Sequence, residues 1–222
     1  MQYKLKIQFD AIRESGDWLS RHPSPDPVRT AKATELASIH TATGAWLSQQ
    51  RDGLLAVRQA TMEKAQLRRE IHTEARDLAN LARVASAAAV GVDARLRLPR
   101  QGANEPAFVS GMRQVIAAAE SNRELLLAHG MEPEMLAAMS GLVDLFEAAQ
   151  KRWNKGRDDH IAASTKLQEL AREGRKLLRH IDTLERRRLR GQPDLLATWD
   201  AARNVPYRAR PSEEEQSNQP AA

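Results

Sequence analysis

Apolar residues recur at alternating three- and four-residue steps along two long stretches of this chain. The second stretch runs from Leu136 through Val143, Phe146, Trp153, His160, Leu167, Gly174 and Ile181 to Leu184. That is the heptad-like seam of a helix that packs against another helix. The first stretch shows the same register more loosely, at Leu36, Ile39, Trp46, Val57, Ala60, Leu67, Ile71, Leu78, Leu81, Ala85 and Ala88. Near the start, Tyr3, Leu5, Ile7 and Phe9 alternate as a strand would, whereas Leu5, Phe9, Ile12, Gly16 and Leu19 follow a helical seam. A single strand has no partner for its backbone groups, so the pattern predicts a helix there.

Proline sharpens these boundaries, because inside a helix it costs about 3 kcal/mol relative to alanine. Two long windows are free of it, Val28 to Leu98 and Glu134 to Gln192. Proline is favourable at the first helical position, and Pro27, Pro106, Pro133 and Pro193 suit that place. Asp26, Glu105 and Glu132 precede the first three, and acids favour the positive helix N-terminus. Gly91, Gly130 and Gly191 each follow a helical run and can close it in the left-handed conformation. The expected order is a helix over about Leu5–Arg21, a break at His22–Pro27 (HPSPDP), and a long helix from Pro27 to about Val90. A polar linker over Gly91–Asn104 precedes a medium helix over Glu105–His129. A second long helix over Pro133–Arg190 and a short one from Pro193 to about Arg203 complete the order.

The fold class is therefore all-α. A helix of about 60 residues is ~90 Å long, while a compact domain of this length is ~45 Å across. Either the long helices break, at Gly44, Gly53 or Gly156, or the molecule is extended. A helical glycine costs only about 1 kcal/mol, and no proline or turn cluster reinforces any of the three sites. The sequence predicts one elongated helical bundle over residues 1–205. Two long antiparallel helices form its spine, and the shorter helices pack at the ends. The tail over 206–222, with its SEEEQSNQP run, has little to bury and is expected to be disordered.

The segments HPSPDP (His22–Pro27), RLPR (Arg97–Arg100), HG (His129–Gly130) and PDLLATWDAARNV (Pro193–Val205) resemble those of an uncharacterised family of bacterial all-helical proteins of similar length. The resemblance implies the helical fold and carries no functional residue with it.

The 222 residues include no cysteine, which excludes disulfides, thiolate nucleophiles and cysteine-ligated metals. No apolar run approaches the ~18–20 residues of a membrane span; the most apolar window is Ala85–Val92. The early charges Lys4, Lys6, Asp10 and Arg13 do not read as a secretory signal. A cytoplasmic location is expected. His-Glu-x-x-His is absent, and no histidine has a glutamate three residues before it, so neither zinc-protease nor di-iron spacing exists. Asp158, Asp159 and His160 are consecutive and diverge by ~100° per residue on a helix. His160 falls on the inward seam as a core histidine, with a pH-sensitive hinge near Gly156 as the sharper reading. Arg, four to six intervening residues and then His, a helical-ribonuclease pattern, occurs at Arg175/His180 and Arg123/His129, no more often than composition yields. No cofactor, no metal and no small-molecule pocket are predicted.

Charge is the one uneven feature. Residues 151–190 hold 13 Lys or Arg against 6 Asp or Glu, a net of +7, while the whole chain is +5. The remainder therefore sums to −2. With the seam turned inward, Arg172, Arg179 and Arg186 share the outer face at seven-residue spacing, flanked by Arg175, Lys176 and Arg190. Such a stripe suits phosphate groups. A solvated face is the plain alternative, since Glu169, Glu173, Asp182 and Glu185 interrupt the field. The nine aromatics fall mostly on inward positions, which gives base stacking little support. The sequence thus predicts a non-enzymatic structural or protein-interaction bundle, its partner a protein, either itself or another. Polyanion or nucleic-acid binding through Arg172, Arg175, Lys176, Arg179 and Arg186 is the alternative.

Overall fold

The computed structural model describes residues 3–86, 96–100 and 102–204. Among them the fold is all-α, with six helices. These are α1 (Tyr3–Arg21), α2 (Pro27–Ser86), α3 (Glu105–Glu120), α4 (Arg123–Ala128), α5 (Met135–Arg188) and α6 (Pro193–Arg203). The expected helix end near Val90, the cap at Gly91 and the tail over 206–222 lie outside the described residues. α2 continues through Gly44 and Gly53, and α5 through Gly156, without interruption.

Local grammar explains the boundaries. The Asp26 carboxylate accepts from the Val28 N–H at 2.9 Å, capping α2. α3 is capped not by Glu105 but by Asn104, whose side chain accepts from the Ala107 N–H at 3.0 Å. Gly130 (φ 99°) and Gly191 (φ 92°) adopt the left-handed conformation that stops α4 and α5. Pro133 and Glu134 form a turn, so α5 starts two residues later than the proline suggested.

The single medium helix expected over Glu105–His129 is two helices. Ser121 Oγ donates to Ala117 O, and Asn122 Nδ2 donates to Ala118 O. These side chains occupy the last carbonyls of α3, and Asn122 leaves helical geometry at φ −120°, ψ 22°. Polar side chains that bond the local backbone compete with the helix ladder in this way.

The helices fall into two compact units, one of residues 1–50 with 161–222 and the other of 51–160. In the first, α1 and α6 pack on the paired ends of α2 and α5. Ile12, Trp18, Leu36, Leu167, Ile181 and Trp199 anchor its core. Gly174 packs closely there: a Cβ would sit 2.2 Å from Ile12 Cδ1 and would push that side chain aside. Fully burying Trp199 removes ~150–250 Å² from water, which contributes about 4–6 kcal/mol. Ordering an eleven-residue helix costs more than that, so α6 needs further contacts. It has Leu195 and Leu196 against the core, a Trp18 Nε1 bond to Thr198 at 3.0 Å, and a Trp199 Nε1 bond to Asp182 at 3.0 Å.

In the second unit, α3 and α4 cover the other stretch of the α2–α5 pair. Ile71, Leu78, Phe108, Met112, Leu126, Met139 and Phe146 are fully buried. Phe108 and Phe146 meet edge to face at 5.2 Å. The pair runs antiparallel within each unit. Gly53 meets Gly156 and His160, and Glu63 pairs with Arg152. In the first unit Ile39 approaches Gly174, and Arg29 pairs with Glu185. At Gly53 the two backbones nearly touch: a Cβ there would lie 2.7 Å from Gly156 O and 2.9 Å from His160 N.

Candidate functional site

The heptad seam of α5 turns Leu167, Leu170, Leu177 and Ile181 inward. The remaining helical positions must then face out, and Arg172, Arg175, Lys176, Arg179 and Arg186 are all exposed. Four of the five are brought together. Arg172, Arg175, Lys176 and Arg179 line one cleft with Leu178, and Arg203 at the end of α6 and Asn204 just past it complete its wall.

Three of the four acids that interrupt this stretch in sequence, Glu169, Asp182 and Glu185, are paired with other cations in space. Glu169 takes Lys166 at 3.0 Å, and the charge of Glu173 acts on that same lysine. Asp182 takes Arg186 at 3.1 Å and Arg203 at 2.8 Å. Glu185 turns inward to Arg29 at 2.7 Å and to Arg188 at 2.7 Å. Among the described residues, Arg172, Arg175, Lys176 and Arg179 are left with no ion pair or side-chain hydrogen bond. Elsewhere on α5, Arg152 and Lys155 are also held by acids.

Arg186 differs from its predicted companions. It donates to both Asp182 oxygens and to Asp200. Its pKa is raised by the Asp182 hydrogen bond first, then by the charges of Asp182 and Asp200. Arg186 therefore ties α5 to α6 and leaves the free group. Arg203, which the sequence reading did not include, takes its place at the cleft. Its Nη1 is spent on Asp182, and its buried Nε has no partner. No sequence signal isolates Arg203, because only the docking of α6 through Trp199 and Asp182 brings it to this face.

The other singled-out residues have structural surroundings. Trp18 and Trp199 are buried core residues whose rings lie 5.2 Å apart. Trp46 and Trp153 are half-buried, and Lys64 sits 4.8 Å over the Trp153 ring. His160 is half-buried, beside the Gly53 crossing. Among the described residues no group of His, Asp or Glu could hold a metal ion. No described helix is long and apolar enough to cross a membrane. No family model, curated protein or solved structure matches the chain.

Proposed function

We propose that the unit of residues 1–50 and 161–222 binds a polyanion, with the nucleic-acid phosphate backbone as the ligand class, and that it does so without catalysing a reaction. The observation that supports this reading is the engagement of three of the four interrupting acids elsewhere. Glu169, Asp182 and Glu185 pair with other cations, and among the described residues Arg172, Arg175, Lys176 and Arg179 stand around one cleft without an ion pair. Arginine forks suit phosphate oxygens. Among the described residues no aromatic ring lines the cleft, and Trp18 and Trp199 are buried; recognition is of the backbone rather than of base sequence.

The test is fluorescence anisotropy of labelled duplex and single-stranded oligonucleotides across a salt series. Four phosphate contacts give a log K against log salt slope of about −3.6 for duplex and about −2.8 for single strands. The triple charge reversal Arg172→Glu/Arg175→Glu/Arg179→Glu abolishes binding, while Arg186→Gln changes it little because that side chain is already paired. Absence of binding at low salt, or indifference to the triple reversal, removes the proposal.

A non-enzymatic protein-interaction role has one observation of its own. Leu54, Leu55 and Met62 are exposed on α2 in the unit of residues 51–160, Met62 to 74 %. Self-association through this stretch predicts a concentration-dependent sedimentation coefficient that Met62→Glu reduces. A monomer at all concentrations argues against it.

A further inference from the structure

A second cleft lies on α2 in the unit of residues 51–160. Arg68, Arg69, His72 and Arg76 line it, with Ala65 and Thr73 between them. Their spacing of one, three and four residues sets all four on one side of the helix over about two turns. Two of them are already fixed. Arg68 donates through Nη2 to Ala103 O and lies 4.4 Å over the Phe108 ring. His72 packs against the same ring, 5.2 Å between centroids. Arg69 and Arg76 are exposed and have no side-chain partner among the described residues.

Unspent hydrogen-bonding capacity marks this place. Among the described residues, three buried side-chain polar atoms lack a partner: Arg68 Nε, His72 Nε2 and Arg203 Nε. Arg203 belongs to the cleft on α5, and the other two belong here. A buried polar group left without a partner costs about 1–3 kcal/mol, and such groups in folded proteins call for an explanation. Two side by side, on residues held by a shared aromatic ring and flanked by two free guanidinium groups, have a simple one. An oxyanion can accept from them all.

We propose that Arg68, Arg69, His72 and Arg76 form a second anion site, which takes a single phosphate group, free or esterified, rather than an extended polyanion. The two buried donors argue for one group, because Arg68 Nε and His72 Nε2 both lack a partner and their side chains lie against the same Phe108 ring, where a single oxyanion can serve both. Phosphate matches the donors, since planar guanidinium forks pair with its oxygens.

The imidazole supplies a local reporter. Burial first, then the charges of Arg68 and Arg76, lower the His72 pKa from 6.5. Those two cations stand on its own helix, which also carries Glu70 and Glu74; Arg69 lines the same cleft, and α3 sets the uncharged Phe108 ring against His72. Among the described residues no acid lines the cleft, so an anion there stabilises the imidazolium and moves that pKa upward.

The experiment follows the His72 imidazole signal by NMR, assigned with His72→Gln, in the full chain carrying Arg172→Glu/Arg175→Glu/Arg179→Glu. Inorganic phosphate and phosphoserine are titrated against chloride at equal ionic strength. Either phosphate should shift the signal and raise the His72 pKa, while chloride should not. Tighter phosphoserine binding assigns an esterified ligand, and equal or weaker binding a free one. Arg76→Gln, which removes an exposed side chain and leaves the Arg68 anchor intact, should weaken phosphate binding roughly tenfold. A His72 pKa indifferent to phosphate, an equal response to chloride, or full affinity in Arg76→Gln overturns the site. The charge-reversed background keeps the outcome separate from that of the α5 cleft.

Discussion

Replacing Glu185 with glutamine should cost this protein more stability than any exposed ion-pair change on the same helix. Glu185 is 0 % exposed and Arg29 is 4 % exposed. One carboxylate oxygen accepts from Arg29 Nε at 2.7 Å, and the other takes Arg188 Nη2 at 2.7 Å. Glutamine keeps the shape and loses the charge, so the Arg29 guanidinium stays buried without its counterion. Its amide NH₂ also sets donor against donor where Arg188 now bonds. Removing one partner of a buried pair costs about 3–5 kcal/mol. Arg29 retains His22 O at 2.6 Å and Leu19 O at 3.5 Å, which points to the lower end, about 3 kcal/mol. Arg188 is 32 % exposed, so Arg188→Gln should cost no more than about 1 kcal/mol. Arg29→Met with Glu185→Leu removes both charges and should lose less than Glu185→Gln alone. Urea unfolding followed by circular dichroism and tryptophan fluorescence reads all four proteins; coincident transitions make the values two-state free energies. The reasoning fails if Glu185→Gln costs less than Arg188→Gln, or if the double variant loses as much as Glu185→Gln alone.

Other outcomes follow from the same structure. A Cβ at Gly156 would lie 2.9 Å from Gly53 O, and one at Gly53 2.7 Å from Gly156 O, while one at Gly44 meets nothing within 4 Å. Gly156→Ala and Gly53→Ala should each destabilise by about 1–2 kcal/mol after the helix-propensity gain, whereas Gly44→Ala should stabilise by up to about 1 kcal/mol, all by urea midpoint. His72 binds its proton less readily folded than unfolded, because burial, Arg68 and Arg76 lower its pKa from 6.5. Its contribution to stability is therefore complete above 6.5 and falls as pH drops below it; His72→Gln should flatten that slope in urea titrations at several pH values. Asp182→Asn should act with opposite signs on two readouts. Losing the anchor of Arg186, Arg203 and Trp199 should lower stability by about 1–3 kcal/mol, while the released cations should tighten oligonucleotide binding and steepen its salt dependence.

Much of the fold was legible because its signals are local. Prolines and glycines mark helix ends by rules that act within a few residues, and the Asp26 cap and the left-handed Gly130 and Gly191 follow from them. The heptad seam of α5 placed Leu167, Leu170 and Ile181 inward, and so placed the arginines outward. The division of α3 from α4 escaped that reading. It rests on Ser121 and Asn122 bonding backbone carbonyls one turn earlier, a competition that the apolar pattern does not record. The candidate site was half visible. Its four free cations share a helix face, whereas the exclusion of Arg186 and the arrival of Arg203 depend on α6. The cleft at His72 gave no charge signal, since Arg68, Arg69 and Arg76 are interspersed with Glu70 and Glu74; its mark is unsatisfied donors, which only packing reveals.

The antiparallel register of α2 and α5 also limits how this chain can change its length. In the unit of residues 51–160, the partner number falls as the other rises, from Gly53 opposite Gly156 and His160 to Glu63 opposite Arg152. Inserting or deleting one residue within that span turns everything beyond it by ~100° about the helix axis. The inward side chains would swing toward water, and the glycine that lets the backbones touch would no longer face its counterpart. Seven residues restore the facing to within ~20°, but only if the partner helix gains seven as well. A protein built this way grows or shrinks in matched two-turn steps taken on both helices at once, and a lone codon gained or lost there is an error it cannot absorb.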